Sequence, residues 1–480
     1  MAETQASRRS GLGVIGEEYR ALDKIPERAK VFGLWDQAAL WFGAASLPAA
    51  WLYGAIMAGW AGLPGVLLLI LVVSPITLLP WALLGYIAAR TGGASVAIVR
   101  PAFGLGGSKV PAVAYLVFGF GWAAVNVFVG SIGTSFIFKA LFGTPGLGEP
   151  GYQAPMAASI LVTCLVQGVF AVAGHRAIRA MEWTATVGLI VLGGYETYLA
   201  LSSWGVGPLF GWAPPAGGLT TSVGPFAYAI TFALLIDLLV AYNWTWEFIG
   251  DFSRFARTPA AGAAGPLIGA NVAQTWWFFV GAVGVAFLAV QTGQFNPQLS
   301  DPNSVATRLG FGWGAYLVIL AATVATNAGN LYASALGISQ LFPRAAISIR
   351  SLLALVAVLV VPLSLLPLFA GELLGSYIFF LDFLGAIVIP LWTIVLVDYF
   401  FVRRGRYSDD LFRTEGGEYW YRGGVHWPAI VCLALGTLTY WVVAFGFPQL
   451  RVQITATIPT MLVAGVAYAL WARGGRGQER

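Results

Sequence analysis

The stretch WDQAALWFGAASLPAAWLYGAIMAG, residues 35–59, is apolar enough to cross a bilayer as a helix, yet Gly43, Ser46 and Pro48 interrupt its middle. A prolyl ring removes one backbone N–H and clashes with the preceding turn, so the helix is expected to open around residues 43–47. A second segment repeats the anomaly. In FAYAITFALLIDLLVAYNWTWEFIGDFSRF (226–255) an aliphatic run gives way abruptly to Tyr242, Asn243, Trp244 and Thr245. In a bilayer a broken helix is tolerated only where its freed backbone groups are buried in protein or line a cavity.

The rest of the chain says what surrounds these two breaks. Of its 480 residues 58% are hydrophobic and 10% charged, with a mean hydropathy of +0.77. Soluble domains carry roughly 25% charged residues. The chain therefore reads as an all-α polytopic membrane protein. A hydrocarbon core of about 30 Å needs about 20 apolar residues per helix. Twelve such runs are expected, near 35–60, 63–89, 110–138, 155–173, 183–203, 222–249, 266–291, 312–342, 351–370, 374–400, 427–446 and 455–472. They divide the chain into an N-terminal tail (1–31), a core of spans 1 to 10 (32–404), a loop (405–426), spans 11 and 12 (427–472) and a C-terminal tail (473–480). The breaks fall in spans 1 and 6, five spans apart, as two inverted repeats of five helices require.

Lys and Arg are retained on the cytoplasmic side during insertion. Alternating the loops between sides puts 23 of the 26 Lys and Arg residues with the two termini. Both termini are expected in the cytoplasm of a cell membrane, and the pI near 9.2 follows from this asymmetry, with no nucleic-acid partner implied. The first 30 residues are polar and basic, without the apolar core of a removable signal peptide. Cys164 and Cys432 lie in separate spans and read as free buried thiols.

Twelve spans suit a carrier, a channel or an intramembrane enzyme. Hydrolysis in the membrane calls for a histidine base, paired carboxylates or a metal. His175 and His426, the only histidines, fall in loops as solvated interfacial side chains, so neither an enzyme nor a cofactor is expected. A channel would show charged rings or repeated filter loops. One long chain of unlike spans with two broken helices fits an alternating-access carrier better.

Six motifs carry a resemblance: IPERAK (25–30), RPAFGLGGS (100–108), GWAAVN (121–126), GDFSRFART (250–258), ATNAGNLYASALGISQ (325–340) and VIPLWTIVLVDYFFVRR (388–404). In this order they resemble the nucleobase-cation symporter-1 family, nearest its cytosine and purine permeases. The resemblance implies a LeuT-like fold of five plus five helices in inverted repeat with two more at the C-terminus. It also implies a substrate site between spans 1, 3, 6 and 8, and symport of a nucleobase with a proton or sodium ion. Carriers of hydantoin, allantoin or a pyrimidine vitamin precursor are the alternative, and outside the class, a channel.

Trp122 lies about 18 Å from the end of span 3, near the midplane, although membrane tryptophans favour the interfaces. Asn126 shares its helix face one turn on. An indole plate beside an amide suits a planar heterocycle, stacked on its face and hydrogen-bonded at its edge; the alternative is core packing with an interhelical amide bond. Ser46 at the span 1 break joins the candidate site. The resemblance implies a second plate from span 6, Trp244 ahead of Tyr242, and an edge-reading amide from span 8, Asn327 or Asn330. No Lys, Arg or His falls nearby, which favours a neutral substrate.

Carboxylates inside a bilayer must be protonated, paired or wet. Asp237, Glu196 and Asp382 fall within spans. Asp398, with Arg403 and Arg404, reads as an interface anchor; Asp36, Glu182, Glu247, Asp251 and Arg254 read as solvated groups or ion pairs at helix ends. The resemblance implies a sodium site between carbonyls of opened span 1, at Ala45, and two adjacent hydroxyls of span 8. Here that pair is Ala325 and Thr326, one hydroxyl short. Proton coupling through Asp237 or Glu196 is therefore expected, with weak sodium binding at Thr326 as the alternative.

Overall fold

Span 1 is two helices. In the computed structural model, which describes residues 19, 22–173, 175–215, 219–296, 301–342, 347–370 and 373–475, the first half runs Leu34–Ala45 and the second starts at Pro48. Ser46 leaves helical geometry (φ −84°, ψ 82°) and Leu47 is extended (φ −140°, ψ 151°). Pro48 takes the first helical position, where its missing N–H costs nothing. The same lack strips the Ala44 carbonyl of its helical donor. Ser46 turns back on the first half, its N–H to the Gly43 carbonyl (3.1 Å) and its hydroxyl to that of Phe42 (2.7 Å).

Span 6 is broken too. Phe232–Trp244 and Ile249–Ser253 flank the irregular residues 245–248, and Thr231 caps the first half by accepting the Leu234 N–H (3.2 Å). This start lies ten residues later than expected. The residues before it pair as an antiparallel hairpin, Thr220–Val223 against Phe226–Ala229, because Gly224 turns the chain at φ +52° between strands rich in β-branched and aromatic residues.

Among the described residues nine helices are long and apolar enough to cross a membrane, or ten if Pro448–Ile454 and Thr457–Arg473, bent by 84°, form one span. Pro48–Thr91 holds the end of span 1 and all of span 2, divided by a bend at Ala61 and Gly62, whose φ of +62° suits glycine. Broken span 6 falls below that length. The remaining expected runs fall on Lys109–Phe142, Gln153–Ala173, His175–Trp204, Pro259–Thr292, Trp313–Leu341, Ile349–Leu365, Leu373–Val397 and Trp427–Trp441.

Packing follows the exchange that a two-fold inverted repeat demands. Span 7 lies on span 1 as span 6 lies on span 2; spans 3 and 8 pair, as do 4 and 9; span 5 meets span 8 as span 10 meets span 3. Spans 1 and 7 touch backbone to backbone. A Cβ on Gly281 would stand 1.9 Å from the Trp51 carbonyl oxygen, and one on Gly54 2.0 Å from that of Phe278. Small residues permit such contact in membranes.

One face gathers the loops that carry most of the positive charge. Phe32 bridges to Ala256, the Ile25 N–H meets the Gly92 carbonyl (3.1 Å), and Lys24 pairs with Asp409 (2.7 Å). Arg100 donates to the Leu411 and Arg413 carbonyls, tying segment 405–426 to the span 2–3 loop. His426, expected to be solvated, is held there instead: it stacks on Tyr421 (4.2 Å) with Nδ1 2.7 Å from the Ala102 carbonyl oxygen. Asp398 accepts from Arg403 (3.1 Å) and Tyr468 (2.8 Å). Both cysteines are free and buried. Residues 1–18, His175 and Glu182 as side chains, and residues 476–480 lie outside what is described.

Candidate functional site

The third span brings Trp122 against the break in the sixth. Its indole N–H donates to the Thr245 hydroxyl (2.9 Å), which itself donates to the Ala241 carbonyl (2.8 Å). Three rings meet Trp122 edge-on: Tyr242 and Phe380, each at 5.3 Å, and Tyr377 at 6.5 Å. Tyr242 stacks on Tyr53 (5.7 Å, 10°), and its buried hydroxyl has no hydrogen-bond partner. Tyr377 donates to the Ala49 carbonyl (3.3 Å), so spans 1, 3, 6 and 10 converge on this cluster.

Trp244 faces elsewhere. Its N–H donates to the Thr77 carbonyl (2.8 Å), while the Trp244 carbonyl accepts from the Trp392 indole N–H (3.0 Å). Residues two apart on a helix point in widely different directions, so only one of Tyr242 and Trp244 can meet Trp122, and it is Tyr242. A second aromatic group lies beyond it. Trp41 of span 1 stacks on Phe248 (5.3 Å, 5°) and Trp246 (5.8 Å, 18°), which links the first half of span 1 to the irregular segment of span 6.

The three amides form one network. Asn327 accepts from Asn126 (3.0 Å) and Asn330 (3.1 Å), and donates to the Ala123 carbonyl (3.0 Å) and Gln167 (2.8 Å). Its four hydrogen-bonding positions are filled, so Asn327 joins spans 3, 4 and 8 and has no capacity left for an edge. Asn126 keeps a buried carbonyl oxygen, and Gln167 an N–H₂ group, without partners. Buried polar atoms are seldom left unmatched without cause.

The carboxylates divide by partner. Asp237 is not the lone group its span suggested: it accepts from Arg451 (2.9 Å), from the Ala456 and Thr457 N–H groups and from the Thr457 hydroxyl (2.7 Å). Arg451 also grips Asp382 with two nitrogens (2.9 and 2.5 Å), and Tyr440 donates to the same carboxylate (2.6 Å). Arg451 was expected in a loop; the bent helix Pro448–Ile454 buries it instead. Glu196 is fully buried with the neutral Trp51 indole as the polar group facing it, short of full hydrogen-bond geometry; a Cβ on Gly284 would stand 2.1 Å from one of its oxygens. Glu247, expected to be solvated or paired, is also buried, with no hydrogen-bond partner outside its own residue, because the irregular segment carrying it folds inward.

At the ion position Ala45 and Ala325 are buried and Thr326 is half-buried. Thr323, one turn earlier, keeps a buried hydroxyl without a partner. The sequence reading missed Thr323, Gln167, Tyr53 and Tyr377, and marked Thr245 only as part of the span 6 break. A polar residue four positions from another within an apolar span was the available signal for Thr323 and its neighbour Asn327, but the tyrosines carried none.

Residues 24–472 match the family described as permeases for cytosine and purines, uracil, thiamine and allantoin. An allantoin permease of Bacillus subtilis is 25% identical over 394 residues, 78% of this chain and 76% of its own. A cytosine permease of Escherichia coli is 25% identical over 74% of this chain and 72% of its own, and a hydantoin permease of Microbacterium maritypicum 28% identical over 73% and 70%. Among solved structures, the nucleobase-cation-symport-1 family transporter Mhp1, closed with bromovinylhydantoin bound, superposes with a TM-score of 0.72 at 23% identity, covering 95% of this chain and 96% of its own. That likeness shows the fold. With the family match over nearly the whole length, the chain belongs to the nucleobase-cation symporter-1 family of membrane permeases.

Proposed function

We propose that this permease imports a neutral, planar heterocycle of the nucleobase type, seated at Trp122 and Tyr242 near the Ser46 break and read at its edge by Asn126 and Asn330. One observation carries the reading: a buried indole plate at the span 6 break stands one turn from an amide whose oxygen is buried and unmatched. A ring nitrogen or exocyclic amine of a base supplies the missing donor. The loops rich in Lys and Arg support a cytoplasmic placement of the face that gathers them.

We infer that the coupling ion is the proton. Ala325 offers no hydroxyl where sodium needs several oxygens, and the charge of Asp237 is already matched by Arg451. Glu196, fully buried, is faced by the neutral Trp51 indole where Asp237 is faced by Arg451, as befits a group that binds a proton inside a membrane. The Ala44 carbonyl freed by Pro48, with Thr326, supports sodium as the second reading.

A competition screen of unlabelled bases, hydantoin and allantoin against labelled cytosine in proteoliposomes tests the substrate. Saturable uptake with displacement by a subset of the planar heterocycles is expected; indifference to all of them refutes it. Uptake under an imposed pH gradient with choline in place of sodium tests the ion. Dependence on sodium that Thr326→Ala abolishes would overturn the proton.

A further inference from the structure

A small cavity lies beneath the aromatic cluster, on the side of the gathered loops. It is lined by Ser95, Tyr115, Phe118, Glu247, Leu391 and Trp392, among others, and the space open to water centres is about 10 Å³, on the order of one molecule. Its polar lining is matched group by group, with one exception. Ser95 accepts the Gly250 N–H (2.8 Å), Tyr115 donates to Asp251 (2.7 Å) and Trp392 donates to the Trp244 carbonyl (3.0 Å). Glu247 is buried, and neither of its carboxyl oxygens has a hydrogen-bond partner outside its own residue, whose backbone N–H alone faces it.

An ionised carboxylate left unpaired in such surroundings costs several kcal/mol, enough that the group takes up a proton instead. The neighbouring charges do not supply a counter-ion. Asp251 repels it, and Arg254, on the same half-helix, is drawn to Asp251. Tyr115 faces it from span 3, while span 10 and segment 95–99 present only uncharged Leu391, Trp392, Ser95, Val96 and Val99. A sodium ion would find two hydroxyls besides the carboxylate, fewer oxygens than a hard cation requires.

Position gives the group a task. Glu247 lies in the irregular segment of span 6, two residues beyond Thr245, which holds the Trp122 indole. Such segments are where carriers change shape.

We propose that Glu247 is a proton-exchange site on the loop side of the transport path. Closed, it is a neutral carboxylic acid. When the inner path opens and water enters, its O–H bond breaks, the proton passes to water as hydronium, and a hydrated carboxylate remains. The transport role rests on the symport reading above; the proton site itself does not.

Two measurements on the full-length protein test it. Infrared difference spectra across a pH titration are expected to show a carboxylic acid C=O band that Glu247→Gln removes. In proteoliposomes, Glu247→Gln is expected to exchange cytosine within about twofold of the parent yet lose pH-driven accumulation at least tenfold, and Glu247→Asp to recover it. Identical infrared spectra, unaltered accumulation, or exchange falling in step with accumulation, as from a structural defect, each overturns the proposal. A parent protein that exchanges no cytosine refutes the substrate reading instead, and the infrared result still decides Glu247.

Discussion

The hydrogen bond from Trp122 to Thr245 lets the proposed substrate plate be probed without destroying it. Trp122→Ala removes the ring; base–aromatic stacking is worth about 1 to 3 kcal/mol, so cytosine affinity should fall roughly 5- to 160-fold. Trp122→Phe keeps a π face and loses the N–H that meets the Thr245 hydroxyl at 2.9 Å. A neutral hydrogen bond nets about 1 kcal/mol, and Thr245 still donates to the Ala241 carbonyl, so the loss should be about fivefold, as the ring is no longer pinned to span 6. Thr245→Val removes the same bond from its other end. If the bond is what orients the plate, the second substitution adds little to the first. A double-mutant cycle on cytosine Kd, measured by scintillation proximity on monodisperse protein, should give about 1 kcal/mol of coupling. Additive effects, or wild-type affinity in folded Trp122→Ala, would refute the reasoning.

The amide network makes a contrasting pair. Asn126→Ser should reorder the competing bases, because the unmatched oxygen facing the edge is lost, whereas Asn327→Ala should lower the yield of folded protein and leave the order intact; inhibition profiles at matched expression decide, and the reverse outcome refutes the assignment. Arg451→Met strands two buried carboxylates and should cost about 3 to 5 kcal/mol, read as lower heat tolerance in fluorescence-detected chromatography. Combining it with Asp237→Asn and Asp382→Asn should restore most of the loss, and a single Arg451→Met variant as heat-tolerant as the parent would contradict the clamp.

Much of this architecture was legible in the chain because the bilayer constrains it so strongly. Apolar runs must be helices, Lys and Arg mark one side, and Pro48 opens span 1 wherever the helix packs. The midplane Trp122 and Asn126 could likewise be singled out, since an indole and an amide are out of place there. These are local consequences of composition and of period.

The partners were decided elsewhere. Which of Tyr242 and Trp244 meets Trp122 depends on the rotation of a half-helix, fixed by Thr77, Trp392 and Tyr53 from three other spans. Asn126, Asn327 and Asn330 look alike in the chain, and only their packing fills all the hydrogen-bonding positions of one while leaving an oxygen of another bare. Asp237 and Glu247 show the limit most clearly. Asp237 has no cation near it in sequence, and the bent helix brings Arg451 to it from 214 positions further along the chain; Glu247 seemed to belong to a wet helix end until its segment folded inward. A carboxylate's state is set by the charges and water within a few ångströms, and those are delivered by tertiary packing, not by neighbours in the chain.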